Sequence, residues 1–89
     1  IYVAYNHSSI LKEATRGSGP HVEALATLHG CPMKAQIEFG SMLQQSFTDY
    51  TEVFFDYNQS PAHTRDFLEL LRQGIQQHPL LSQECRPTG

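Results

Sequence analysis

The residues of this chain with the most chemistry in them are two cysteines and five histidines. His29 and Cys31 stand two positions apart, and Cys85 could join them only by folding back from the far end of the sequence. Zinc takes three or four such ligands, and the spacings that usually deliver them in pairs (Cys-x-x-Cys, His-x-x-x-His, His-Glu-x-x-His) do not occur. A metal or redox site built from His29, Cys31 and Cys85 is the alternative reading. The favoured one is surface histidines, with no metal and no cofactor. An even cysteine count permits a disulfide, and two buried free thiols fit the sequence equally well. A bond would presuppose an oxidising compartment and, closing so long a loop, would contribute about 4 kcal/mol.

Nucleophilic catalysis asks for a Cys or Ser activated by a neighbouring base. His29 and Cys31 fall in a turn rather than a cleft assembled from several elements, so no catalytic residue is assigned and the chain reads as a non-enzyme. Asp49, Glu52 and Asp56 share a helical face and read as solvated acids. Arg16-Gly17-Ser18-Gly19 leads into a helix start, where free amides attract anions. It lacks the length and the lysine of a phosphate loop, so Arg16, Gly17 and Gly19 read first as a capping junction and second as an anion site. Aromatic residues crowd one short stretch: Phe47 and Phe54 are expected in the core, while Tyr50, Phe55 and Tyr57 are candidates for a partner-binding surface.

These groups have to be positioned by helices. No Gly or Pro interrupts residues 1–16, where Tyr2, Tyr5 and Ser9 form one line and Val3, Ile10 and Ala14 another. Arg16, Gly17 and Pro20 then end one helix and begin the next. Val22, Leu25, Ala26 and Leu28 make a short second helix capped by Gly30. After Cys31-Pro32, the residues Met33, Ile37, Phe39, Met42, Leu43 and Phe47 predict a third, with Gly40 marking a close crossing or a kink. Residues 48–57 have strand-like composition but no partner strand, so the third helix is extended through them with a bend near Thr48 and Asp49. Ser60-Pro61 opens a fourth helix, with Phe67, Leu68, Leu71 and Ile75 on its dry side and Arg65, Asp66, Glu69 and Arg72 on its wet side. His78-Pro79 stops it, and Leu80, Leu81 and Cys85 form a terminal turn.

At 89 residues, 39% hydrophobic and 17% charged, the chain has the size and composition of one folded domain. Its net charge is −3 and its six Lys and Arg are scattered, which excludes a nucleic-acid backbone as partner. No apolar run approaches the length of a membrane span. The first residue, Ile1, is compatible with a removed targeting segment.

The stretch Ala14-Thr15-Arg16-Gly17-Ser18-Gly19, followed by Leu25-Ala26-Thr27-Leu28-His29-Gly30-Cys31, resembles the signature of a family of small, uncharacterised exported bacterial proteins. Its pattern is Ala-x-Arg-Gly-x-Gly and then Leu-Ala-x-Leu-x-Gly. The resemblance covers about half of the chain; Pro20-His21 departs from it where an acidic residue is usual. It implies a periplasmic or secreted helical protein, and with export it implies that Cys31 and Cys85 are bonded. The expected architecture is all-α: four up-and-down helices and a terminal turn around Leu25, Leu28, Ile37, Leu43, Phe47, Phe67, Leu68, Leu71 and Ile75. The expected role is binding a protein or envelope partner.

Overall fold

The computed structural model describes residues 2–46 and 61–86. All its regular structure is helical: α1 (Tyr2–Ala14), α2 (Pro20–Leu28), a 3-10 turn (Met33–Ala35) running into α3 (Gln36–Gln45), α4 (Pro61–Gln77) and the single-turn α5 (Leu81–Glu84). The expected extension of the third helix past residue 46, together with Phe47, Tyr50, Phe54, Phe55 and Tyr57, lies outside the described residues.

The first two helices end in the same way. At the close of α1, the Ser18 amide donates to the Glu13 carbonyl at 3.3 Å and the Gly17 amide to the Ala14 carbonyl at 3.2 Å. At the close of α2, the Cys31 amide donates to the Ala26 carbonyl and the Gly30 amide to the Thr27 carbonyl, both at 3.0 Å. Each is a six-to-one bond around a five-to-two bond, with glycine as the residue that turns the chain out of the helix. The motif satisfies carbonyls that would otherwise be orphaned, and it aims the next segment back across the bundle.

Burial follows the apolar stripes. Ile10 and Ala14 from α1, Leu25 from α2, Phe39 and Leu43 from α3, Phe67 and Leu71 from α4 and Leu81 from α5 are all essentially without solvent contact. Withdrawing the leucine, isoleucine and phenylalanine side chains among them from water stabilises the fold by roughly 1.5–3 kcal/mol each. Where α3 meets the turn between α1 and α2, the approach is backbone to backbone: a Cβ on Gly40 would lie 1.9 Å from the Gly17 carbonyl oxygen. Gly40 is therefore a point of close approach, to the α1–α2 turn rather than to another helix, inside a continuous α3 with no kink to explain. Gln44 fastens the same corner by donating to the Thr15 carbonyl at 3.2 Å.

Two residues expected in the core are outside it. Ile37 is 78% exposed and Leu28 is 62% exposed. Ile37 and Phe39 stand two apart, roughly 200° around a helix, so they cannot both face inward. Phe39 does, with Met42 and Leu43. Leu28 ends α2 on the edge of the stripe set by Val22, Leu25 and Ala26, and turns out with the last residue of the helix.

Candidate functional site

The α1–α2 junction is organised around a carboxylate. Glu13 is 5% exposed, and it is the buried charged residue among those described. The start of α2 explains it. Gly19 is the N-cap and has no side chain to offer, Pro20 has no amide, and the next two amides, of His21 and Val22, point out of the helix end. Glu13 Oε1 accepts both, at 2.7 Å from His21 N and 2.9 Å from Val22 N, and Oε2 accepts from His21 Nδ1 at 2.5 Å. A side chain at position 19 would exclude this arrangement, because its Cβ would fall 2.3 Å from Glu13 Oε1. Burial alone would raise the Glu13 pKa, but the Val22 and His21 amides and the His21 ring more than offset it, and the net shift is downward. A buried anion on the positive end of a helix is stabilised by the dipole as well as by the bonds.

At the opposite end of α2, Cys31 and Cys85 are joined as a disulfide with their Cα atoms 4.0 Å apart. The backbones run together here: the Arg86 amide donates to the Gly30 carbonyl at 3.3 Å, and a Cβ on Gly30, whose φ is +76°, would sit 1.8 Å from the Arg86 carbonyl oxygen. The bond ties the entry to the 3-10 turn and α3 to the exit from α5, as expected. His29 lies beside it with its ring centroid 6.3 Å from that of Phe39, and burial lowers its pKa. Both sulfurs are spent on each other, so the alternative of thiolate ligands beside His29 is set aside. Among the described residues no three His, Cys, Asp or Glu side chains are grouped to hold a metal ion. α5 has its own cap: His78 Nδ1 accepts from the Leu80 and Leu81 amides at 3.1 and 3.2 Å. The ring's other nitrogen then faces Glu38, 3.7 Å away.

The family model for a protein of unknown function, DUF3015, matches residues 1–85. The chain belongs to this family. Neither a curated protein nor a solved structure matches it. Membership of DUF3015 agrees with the resemblance to an uncharacterised family read from residues 14–31, and it carries no assigned activity with it.

In this DUF3015 chain, Arg16, Gly17 and Gly19 stand at a junction whose helix-start amides are already taken by Glu13, so an external anion would have to displace a tethered one. Arg16 and Gly17 instead help to line a groove of about 480 Å³ with Val22, Met33, Ile37 and Gln44. Met33, 85% exposed, and Ile37 stand four apart and present one apolar edge of it. Tyr50, Phe55 and Tyr57 lie outside the described residues. Sequence reasoning missed Glu13 and His78 as helix caps, and placed the exposed Met33 on the core-facing stripe. What the sequence does show is the need rather than the acceptor that meets it: a helix start at Gly19-Pro20 without a side-chain cap of its own.

Proposed function

We propose that this chain works outside the cytoplasm, periplasmic or secreted, as a non-enzymatic helical domain that binds a protein or envelope partner. The observation that carries the reading is the Cys31–Cys85 bond, because disulfides persist where thiols are not kept reduced. Absence of a helix long and apolar enough to cross a membrane among the described residues is compatible with it. Binding is supported by Met33 in the 3-10 turn and Ile37 in α3, two large apolar side chains exposed to water along the edge of a groove. The non-enzymatic part rests on how the polar groups are used: Glu13 and His78 serve as helix caps, and the sulfurs as a staple.

The test is intact mass of the natively produced protein, with and without reductant, on separated cell fractions, paired with a photo-crosslinking residue at position 37. A chain two hydrogens lighter than its reduced form, found outside the cytoplasm and yielding one discrete adduct, is the expected result. Free thiols on a cytoplasmic chain would overturn the export reading, and no adduct at position 37 would overturn the binding face.

A further inference from the structure

We propose that the cleft between the end of α2, the last turns of α4 and the chain around α5 is a binding site for an anionic amphiphile that lays one hydrocarbon chain in it, the chemistry shared by a fatty acid and an anionic membrane lipid. The cleft measures about 470 Å³, within the roughly 300–1,000 Å³ usual for small-ligand sites. Its floor is apolar, formed by the buried Ile75 and the disulfide-bonded Cys85. Leu28 stands in its wall with most of its surface in water, a leucine that the core does not use. A hydrocarbon chain laid there would cover it and gain transfer free energy.

The polar side of the cleft has one sign. Arg72 and Arg86 reach it from different elements, with Gln76, Ser82 and the half-buried His29 between them, and among the described residues no carboxylate lines it. That is against the average of a chain with nine acids to six Lys and Arg. Arg72 is partly neutralised by Glu69, whose oxygens lie 2.5 and 3.1 Å from its guanidinium. Arg86 is the freer cation: its Nε is 3.5 Å from the Gln83 carbonyl, and among the described residues no carboxylate oxygen comes within 4.0 Å of it. Apolar floor, exposed leucine wall and a guanidinium at the rim are the three contacts an alkyl carboxylate would use. The cleft shares no lining residue with the Met33–Ile37 groove, so the site stands or falls apart from the partner face.

The experiment is an NMR titration of the oxidised protein with octanoate, 1-octanol and octylammonium, following Leu28, His29 and Ile75. Octanoate should shift these residues saturably and bind more tightly than the alcohol, and the ammonium should bind least. Arg86→Gln, an exposed change whose unshifted core resonances report an intact fold, should weaken octanoate about fivefold and leave the alcohol unchanged. Octanoate failing to saturate at Leu28 and Ile75, octanol binding as tightly as octanoate, or Arg86→Gln leaving octanoate affinity unchanged would each overturn the proposal. With octanoate bound, vesicles of phosphatidylglycerol against phosphatidylcholine identify the source: displacement by the anionic vesicle assigns a lipid, and its absence assigns the free acid.

Discussion

Removing the Glu13 carboxylate should unfasten α2 from α1 more than any other single polar change in the described structure. Its Oε1 accepts two helix-start amides, and Val22 N is buried. Hydrogen bonds to a charged acceptor contribute about 1.5–3 kcal/mol each, and an amide left buried and unpaired costs about the same again. The His21 ring adds less, since a third of its side chain is in water and the pair is screened. Glu13→Ala should therefore cost about 3–5 kcal/mol, a large share of a small domain's stability. Glu13→Gln keeps an oxygen where Oε1 sits and turns an amide nitrogen toward the His21 ring, which can accept by changing tautomer. It should cost about 1–2 kcal/mol.

Acid gives the second handle. The folded-state pKa of Glu13 is lowered, so its contribution is fully present above the unfolded carboxylate pKa, about 4.3, and is lost as pH falls through the folded value. The assay is urea unfolding followed by circular dichroism for the natural chain and Glu13→Gln, from neutral pH to about pH 2.5. The gap between them should hold at neutral pH and close toward the acid end. A Glu13→Ala protein as stable as the natural one, or a gap that ignores acid, would refute the cap.

Three other outcomes are expected. Replacing both Cys31 and Cys85 by serine should lower stability by about 4 kcal/mol, read as a drop in the urea midpoint, with the helical spectrum retained in water. Gly40→Ala should cost about 2–4 kcal/mol, because its Cβ would meet the Gly17 carbonyl at 1.9 Å and α3 must back away from the α1–α2 turn; thermal melting measures it against Ser41→Ala as a control. His78→Ala should cost about 1 kcal/mol and raise amide exchange at Leu80 and Leu81, whereas His78→Asn, which can still accept from both amides, should restore most of it.

The helices were legible because their punctuation is local. Gly17, Pro20, Gly30 and Pro61 stop or start elements through their own backbones, and the structure puts boundaries within three residues of each within the described range. The inward stripe of α4 was equally plain, since Phe67, Leu71 and Ile75 repeat every four residues and are all buried. The third helix misled because two faces were read as one. Met33, Ile37, Ser41 and Gln44 share the groove face, and only its first two members are apolar, so an apolar count mixes them with Phe39, Met42 and Leu43. Glu13 and His78 escaped because a cap supplied from another element, or from beyond a helix's own end, has no fixed spacing. The disulfide could be inferred only through kinship, since sequence does not report the 4.0 Å between Cα atoms that folding creates.

The Cys31–Cys85 bond also divides the chain into a ring and a tail. Residues 31–85 form a covalent loop that contains α3, α4 and α5, while α1 and α2 enter it from one side. A protease that cuts once anywhere between the cysteines leaves every residue still attached to the rest, whereas one cut near Ser18 frees α1 from all but its non-covalent contacts. Tolerance to a single cleavage is therefore concentrated in the C-terminal two thirds of the chain, which matters most if the chain meets proteases outside the cytoplasm, as proposed above. The buried Ile10 and Ala14, the Glu13 clasp and the Gly17–Gly40 contact are what hold the unprotected end in place.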